Sequence, residues 1–318
     1  MRRSIAQRFA QALIVLTGVV LITFVMLRIV PGNPIETMMG EHADAATVAR
    51  MTAELGLDQP LYRQFLRYIA AAVSGDFGTS YSLGKPVSQL IRSAFVNTLI
   101  LALFAALFAW TLGIACGLVC AVGKNRLPDR LFMGFSLLGI SLPVFMAAMF
   151  LQYLFAFKLK SFPISGTDSW RGFVLPAVAL GWNSAGQVAQ MTRSSLLEAL
   201  EEDYIETARA KGLGRFGVLM RHALRNAMLP VLTMMTVQFS SLLSGAVITE
   251  TVFSINGIGQ LTVQAISARD IPLMQGTVLF AVSLVILGNL AADSLLRWRI
   301  SSVAQARGRR MHSIRTAA

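Results

Sequence analysis

The stretch SAFVNTLILALFAALFAWTLGIACGLVCAVG, residues 93–123, runs from Arg92 to Lys124 without one charged side chain. A helix rising ~1.5 Å per residue needs about 20 such residues to cross ~30 Å of hydrocarbon, so this segment already points to lipid as the solvent. Five further windows reach that length between consecutive charges: after Arg8 to Leu27, after Arg130 to Phe157, after Arg171 to Thr192, after Arg225 to Thr249, and after Asp270 to Ala292. Together they predict an all-α, polytopic membrane protein with six transmembrane helices. A seventh charge-free window, residues 251–268, carries Ser254, Asn256, Gly257, Gly259, Gln260, Thr262, Gln264 and Ser267. Its backbone would be poorly protected in lipid, so it reads as a loop or re-entrant turn.

Composition agrees. Of 318 residues, 55% are hydrophobic and only 14% charged, fewer charges than a soluble domain of this length carries. The net charge of +12 could suggest a nucleic-acid partner. Position argues against one, because the basic residues sit beside apolar runs: Arg2, Arg3 and Arg8, residues 124–130, residues 193–225, and residues 297–315. Cytoplasmic loops look like this, and six spans leave both basic termini cytoplasmic in an inner membrane. Lys158, Lys160 and Arg171 run against the rule without reversing the total bias. The expected organisation is a tail and first helix at 1–30, an external cap at 31–92 with helices at 45–55 and 61–73, a five-helix core at 93–296 containing a long loop at 193–230, and a basic tail at 297–318. The first apolar run lacks a small-residue cleavage site and reads as a retained helix. Cys116 and Cys120 share one helical face as packing residues, and His42, His222 and His312 show no ligand spacing, so no metal site is expected.

The loop from Arg193 to Arg225 is longer than two adjacent helices require. Ser195 with Glu198 fits a capping box, and Leu197, Leu200, Tyr204 and Ala208 recur on one helical face. Gly212 and Gly214 would end that helix, and Phe216, Leu219, Met220, Ala223, Leu224 and Ala227 form the stripe of a second one reaching Pro230. A short helix of this kind suits a groove on a soluble partner, or a membrane surface whose anionic lipid meets the arginines. Pro143, in Ser141-Leu142-Pro143, interrupts the third span and Pro176 opens the fourth, either as bends lining a conduit or as packing kinks. Asn97, Gln187 and Gln238 lie within spans and Glu250 near an outer end, where each faces a conduit or bonds a neighbouring helix.

Residues 206–213, Glu-Thr-Ala-Arg-Ala-Lys-Gly-Leu, followed by His222-Ala223-Leu224-Arg225-Asn226-Ala227 and Leu229-Pro230, resemble the coupling motif of binding-protein-dependent ABC importer permeases. The likeness is greatest to the dipeptide, oligopeptide and nickel branch, in its "B"-type subunit. It extends through Pro31-Gly32-Asn33-Pro34, residues 55–62, residues 75–80, Ser141-Leu142-Pro143, Asp203-Tyr204, residues 250–253, Gly257-Ile258-Gly259 and residues 269–272. Thr207 stands where the generic motif has alanine, and Asn256 where the family usually has proline.

The resemblance implies the type I permease fold and an ATPase-coupling site at Asp203, Tyr204, Glu206, Thr207, Ala208, Arg209, Ala210, Lys211, Gly212 and Leu213. It implies as partners a second homologous permease subunit, two cytoplasmic ATP-binding subunits and an external substrate-binding protein, besides membrane lipid. ATP and Mg belong to the partner subunits; this chain is expected to bind no cofactor and to carry no catalytic residue. It lacks a Gly-x-x-x-x-Gly-Lys-Ser/Thr loop, since Pro86 follows Gly84-Lys85. The expected cargo is short peptides first, nickel or a metal chelate second and glutathione third. A secondary transporter, the rival from another class, would show internal repeats with charged midplane residues, and neither is evident.

Overall fold

The structure, a computed structural model, describes residues 2–29, 35, 44–54, 56–244 and 246–291. The basic tail at 297–318 and the motif Pro31-Gly32-Asn33-Pro34 lie outside them. The described chain is helical, with an isolated antiparallel bridge between Thr79 and Pro86.

Twelve helices, besides a short 3-10 turn at Trp170–Phe173, follow in order among the described residues. α1 (Arg2–Ile29), α2 (Ala45–Glu54) and α3 (Leu61–Val73) precede the long α4 (Val87–Val122). α5 (Leu127–Ser141) and α6 (Val144–Lys158) are the two arms of the third apolar window, parted where Leu142 turns extended (φ −77°, ψ 126°) ahead of Pro143. α7 (Val174–Leu200) leads to the eight-residue α8 (Asp203–Ala210). α9 (Arg215–Leu243), α10 (Val247–Val252), α11 (Ile258–Ser267) and α12 (Ile271–Ala291) complete the chain. Among the described residues α4, α9 and α12 are each long and apolar enough to cross a membrane, and α5 with α6 makes a fourth crossing if read as one broken span. α1 contributes an apolar stretch at Ala10–Met26. α7 has the length, 27 residues, but Asn183, Gln187 and Gln190 dilute its apolar character.

Several boundaries differ from the sequence reading. Ser195 and Glu198 do not cap a helix; they lie inside α7, where burial of neighbouring Leu196 overrides the local signal. The break comes instead at Glu201-Glu202. Acidic Glu198 and Glu201 oppose the negative end of α7, whereas Asp203 and Glu206 suit the positive end of α8. Pro230 does not divide two helices: α9 runs through it, giving up the hydrogen bond that its nitrogen would have made to Asn226. The start of α9 is instead widened into a π-helical turn at Val218–Ala223. Gly214 is not left-handed (φ −64°) and serves as an extended residue before α9. The helix of the fifth window, α9, stops at Leu243 rather than reaching Thr249, and the seventh window, expected as a loop or re-entrant turn, folds into the end of α10, a turn and α11.

The chain forms two compact units. The first comprises Met1–Leu103, Ala148–Pro176 and Leu243–Leu284. Its core joins Val87, Ile91 and Ala94 of α4 to Ile258, Leu261 and Ala265 of α11 and Leu273 of α12. Phe24 of α1 meets Phe65 (centroids 5.2 Å apart) and Tyr68 (6.4 Å) of α3. The Tyr68 hydroxyl also donates to the Gln275 carbonyl at 3.4 Å, and burial pushes its pKa up to about 12.

The second unit comprises Phe104–Ala147, Ala177–Leu242 and Val285–Ala318. Here α4 and α7 approach closely: Gly113 and Gly117, spaced as a small-x-x-x-small pair, lie against Ala185, Val188, Ala189 and Thr192 with no room for a Cβ. A second cluster fuses Ala121 of α4, Leu196 and Ala199 of α7, Ile205 and Ala208 of α8, and Val218 and Ala223 of α9.

Candidate coupling helix and polar relays

α8 is built as a detachable-looking but firmly seated helix. Glu202 precedes it in extended geometry, and the Ile205 N–H returns to the Glu202 carbonyl at 2.9 Å. Its end is a Schellman motif: Gly212 N–H donates to Arg209 O (2.9 Å) and Leu213 N–H to Ala208 O (3.4 Å), with Gly212 at φ +81°. Leu213 then packs on the cluster that holds Ala208. Ile205 is fully buried, Ala208 nearly so, and Tyr204 half-buried, while Asp203, Glu206, Thr207, Arg209, Ala210, Lys211 and Gly212 are exposed. The sequence stripe passed over Ile205 because it assumed one unbroken helix from Ser195; the break resets the phase. The Thr207 hydroxyl donates to Asp203 O at 3.1 Å, so its proton is turned back onto the helix. An eight-residue helix therefore presents an outward charged face on an apolar seat.

The six candidate path residues fall into two groups. In the second unit, the break after Ser141 deprives the Ile140 carbonyl of its helical partner, and Asn183 Nδ2 of α7 supplies the replacement at 3.2 Å. Asn183 Oδ1 accepts from Gln187 Nε2 (2.7 Å), and Gln187 Oε1 accepts from Gln238 Nε2 of α9 (3.1 Å). Gln187 and Gln238 thus belong, with Asn183, to one relay of side-chain amides that starts at the helix break where Ser141 and Pro143 lie. Asn183, four residues before Gln187, is its hub; the i, i+4 spacing of two amides in an apolar window was the available signal. Gln238 is 8% exposed, and its Oε1 has no partner among the described residues.

Asn97 and Glu250 belong to the first unit. Asn97 Nδ2 donates to the Asn256 carbonyl at 2.9 Å. Glu250 is 0% exposed and closes the turn between α10 and α11. Thr98 Oγ1 donates to Glu250 Oε1 (2.7 Å) and accepts from Ile258 N–H (2.9 Å), while Gln260 N–H donates to Oε2 (3.1 Å) and Gly259 N–H also donates to the carboxylate. The first three N–H groups of α11 are thereby satisfied by two side chains. At Gly257 the carboxylate occupies the space a Cβ would need, and at Gly259 the backbone of Val247 does so together with the carboxylate. One side of Glu250 lines a cavity of about 140 Å³ shared with Thr98, Thr262 and apolar residues of α9 to α12.

A second buried carboxylate, Asp270, joins two segments quoted above as motifs. It accepts from Ser80 Oγ (2.6 Å), Ser82 Oγ (2.8 Å) and Ser82 N–H (2.9 Å), and caps α12 by accepting from Leu273 N–H (3.1 Å). Burial alone would raise its pKa, but these four donors outweigh it and hold the carboxyl below the usual range. Among the described residues no cluster of three or more His, Cys, Asp or Glu side chains is placed to hold a metal ion.

Residues 113–304 match the family described as the binding-protein-dependent transport system inner membrane component, and residues 1–102 match the N-terminal part of such membrane components. The chain belongs to the binding-protein-dependent ABC importer permeases. It is 43% identical over 277 residues to the glutathione transport system permease protein GsiC of Salmonella paratyphi A, covering 87% of this chain and 90% of that one. GsiC of Escherichia coli K12 is 42% identical over 274 residues, covering 86% and 90%. These likenesses put the permease in the peptide and nickel branch. Solved structures share the fold: inward-facing MetNI methionine ABC transporter (TM-score 0.56, 19% identity, 66% of this chain and 95% of that chain) and an amino acid ABC transporter with histidines (0.52, 16%, 66% and 92%). This permease is a multi-pass membrane subunit of an importer.

Proposed function

We propose that this permease carries short peptide-like cargo, glutathione foremost, into the cytoplasm by alternating access, driven through α8 by ATP-binding subunits. Glutathione moves from third place to first because the GsiC likeness spans most of both chains; it is itself a short peptide, so the peptide reading narrows rather than falls. In the proposed assembly a second homologous permease pairs with this one, two ATPases hold ATP and Mg, and an external binding protein selects the cargo. Six spans with both termini cytoplasmic put residues 203–213 within reach of the ATPases and residues 31–92 outside, where the exposed Tyr62 and Leu66 of α3 offer the binding protein an apolar face.

The observation that carries this reading is the seat of α8. Ile205 and Ala208 lock it to the ends of α4, α7 and α9, so a push on its exposed Glu206, Arg209 and Lys211 reaches three helices at once. α7 carries that displacement to Asn183 and Gln187, and α9 to Gln238. We read these amides, with the break at Ser141–Pro143, as the stretch of path where uncharged polar groups meet peptide N–H and C=O groups, and we read Asn97 and Glu250 as path residues within the first unit.

The test is the complex reconstituted in vesicles with its ATPases and binding protein. Glu206→Cys should cross-link to an ATPase cysteine, and Gly212→Trp should assemble yet fail to take up labelled glutathione. Normal uptake by Gly212→Trp, or labelling of residues 203–213 from outside, would end the coupling reading. Uptake of a dipeptide but not glutathione would move the cargo and leave the mechanism.

A further inference from the structure

The turn between α4 and α5 is fastened to the end of α7 just ahead of the coupling helix. Asp129, 4% exposed, receives Arg193 as a two-pronged ion pair: Nε to Oδ1 at 2.7 Å and Nη2 to Oδ2 at 2.8 Å. Its Oδ2 also accepts from Asn125 N–H at 2.9 Å, drawing in the turn itself. A guanidinium fork on a buried carboxylate fixes direction as well as distance. Its net stabilisation is small, because desolvating both charges offsets most of their attraction; a pair of this kind is better suited to orientation than to holding a fold together.

Both ends of α5 are bound to the same helix. At its start Asp129 grips Arg193; at its far end the carbonyl of Ile140 takes Asn183 Nδ2 at 3.2 Å, where the amide relay to Gln187 and Gln238 begins. α5 is 15 residues long in all, and the stretch between its ties at Asp129 and Ile140 is a strut of roughly 16 Å. Arg193 itself lies on the segment of α7 whose Leu196 and Ala199 seat α8.

We propose that the Asp129–Arg193 pair is a positioning clasp, passing displacement of the coupling helix along α5 to the break at Leu142 and the amide relay. The inference rests on the coupling role proposed for α8. Neither side chain touches cargo or nucleotide; the pair acts by keeping α5 and α7 moving as one body.

The reconstituted complex separates this from a merely structural role. Removing one partner strands a buried charge, so Asp129→Asn alone is uninformative about coupling. The double variant Asp129→Leu/Arg193→Met removes both charges at similar volume and keeps the packing. It should assemble and keep basal ATP hydrolysis, while stimulation of hydrolysis by the liganded binding protein and uptake of labelled glutathione per ATP both fall about tenfold. Arg193→Lys, which keeps the charge but loses the fork, should fall between. Stimulation and uptake per ATP at the wild-type level in the double variant overturn the clasp. If the double variant does not assemble, Arg193→Lys decides: unchanged stimulation overturns the proposal and reduced stimulation supports it. Cross-linking of Glu206→Cys to the ATPase reports on the coupling helix separately. No cross-link sinks the α8 reading, whereas a cross-link with unimpaired stimulation in both variants sinks the clasp alone.

Discussion

Glu250 in the first unit and Asp129 in the second are both carboxylates with almost no exposure (0% and 4%), yet they are held by different chemistry. Among the described residues no cation reaches Glu250; it is surrounded by a hydroxyl and the free N–H groups at the start of α11. Asp129 takes a guanidinium and one turn N–H. Fixed dipoles gathered at a helix start, the Thr98 hydroxyl of α4 among them, make a cap, and its loss frays that helix start. An ion pair between separate helices makes a joint, and its loss changes how they move together. Asp270 falls on the Glu250 side of this division, with four donors and, among the described residues, no cation in its shell.

The largest effect expected is at Glu250. Glu250→Ala strands the Gly259 and Gln260 N–H groups and leaves Thr98 with one partner, so detergent-solubilised protein should lose about 3 kcal/mol or more of stability. Thermal unfolding checks this. A loss near zero would mean that water in the adjoining cavity replaces the carboxylate, and the contrast with Asp129 would then be one of solvation rather than of bonding.

Asp270 tests the same principle through pH. Its folded pKa lies below the ordinary carboxylate value, so its contribution is fully present above ~3.9 and is lost as pH falls through the folded value. Asp270→Asn keeps one acceptor oxygen for the Ser82 and Leu273 N–H groups, which now approach opposite oxygens. It should cost about 2 kcal/mol at pH 7 and flatten the stability profile on acidification. Parallel profiles for variant and wild type between pH 7 and 3 would remove Asp270 as the source of acid sensitivity.

The same contrast explains what was legible in the sequence. Spans are read from charge-free length, because hydrocarbon rejects charge whatever the tertiary contacts are. Gly212 was legible because a left-handed helix end is a local requirement. The α7–α8 boundary was not: Ser195 and Glu198 carry a sound local signal, but the buried Leu196 keeps the helix going until adjacent acidic residues end it. Glu250 stood out as polar near an outer end, yet its partner Thr98 is 152 residues away and nothing in the spacing joins them. Asn183 is one polar residue among several in its window; it gains a role only once the break at Leu142 frees the Ile140 carbonyl. Pro143 was legible as an interruption, and the residue that compensates for it was not.

Gly212→Ala should have a smaller effect than either carboxylate change. Nothing lies within 4 Å of the added Cβ, so the substitution strains only the φ of +81°. The expected cost is about 1 kcal/mol, read by thermal unfolding. A much larger loss would mean that the Schellman closure at Leu213, rather than the apolar seat of Ile205 and Ala208, keeps α8 in place.

The smallest effect sharpens the account of the second unit. Lys124 and Glu201 pair at 3.2 Å beside the Asp129–Arg193 joint and span the same turn and helix end, but their side chains are 50% and 73% exposed. Water screens them, and fixing two long side chains offsets most of the attraction, so Lys124→Ala should cost about 0.3 kcal/mol or less. It should leave stimulation of ATP hydrolysis by the binding protein unchanged, which a titration of the reconstituted complex can measure. If Lys124→Ala instead reduced that stimulation as much as the Asp129→Leu/Arg193→Met change does, burial and fork geometry would not be what makes the joint. The turn would then respond to any tether to α7, and the difference drawn between a cap and a joint would rest on connectivity alone.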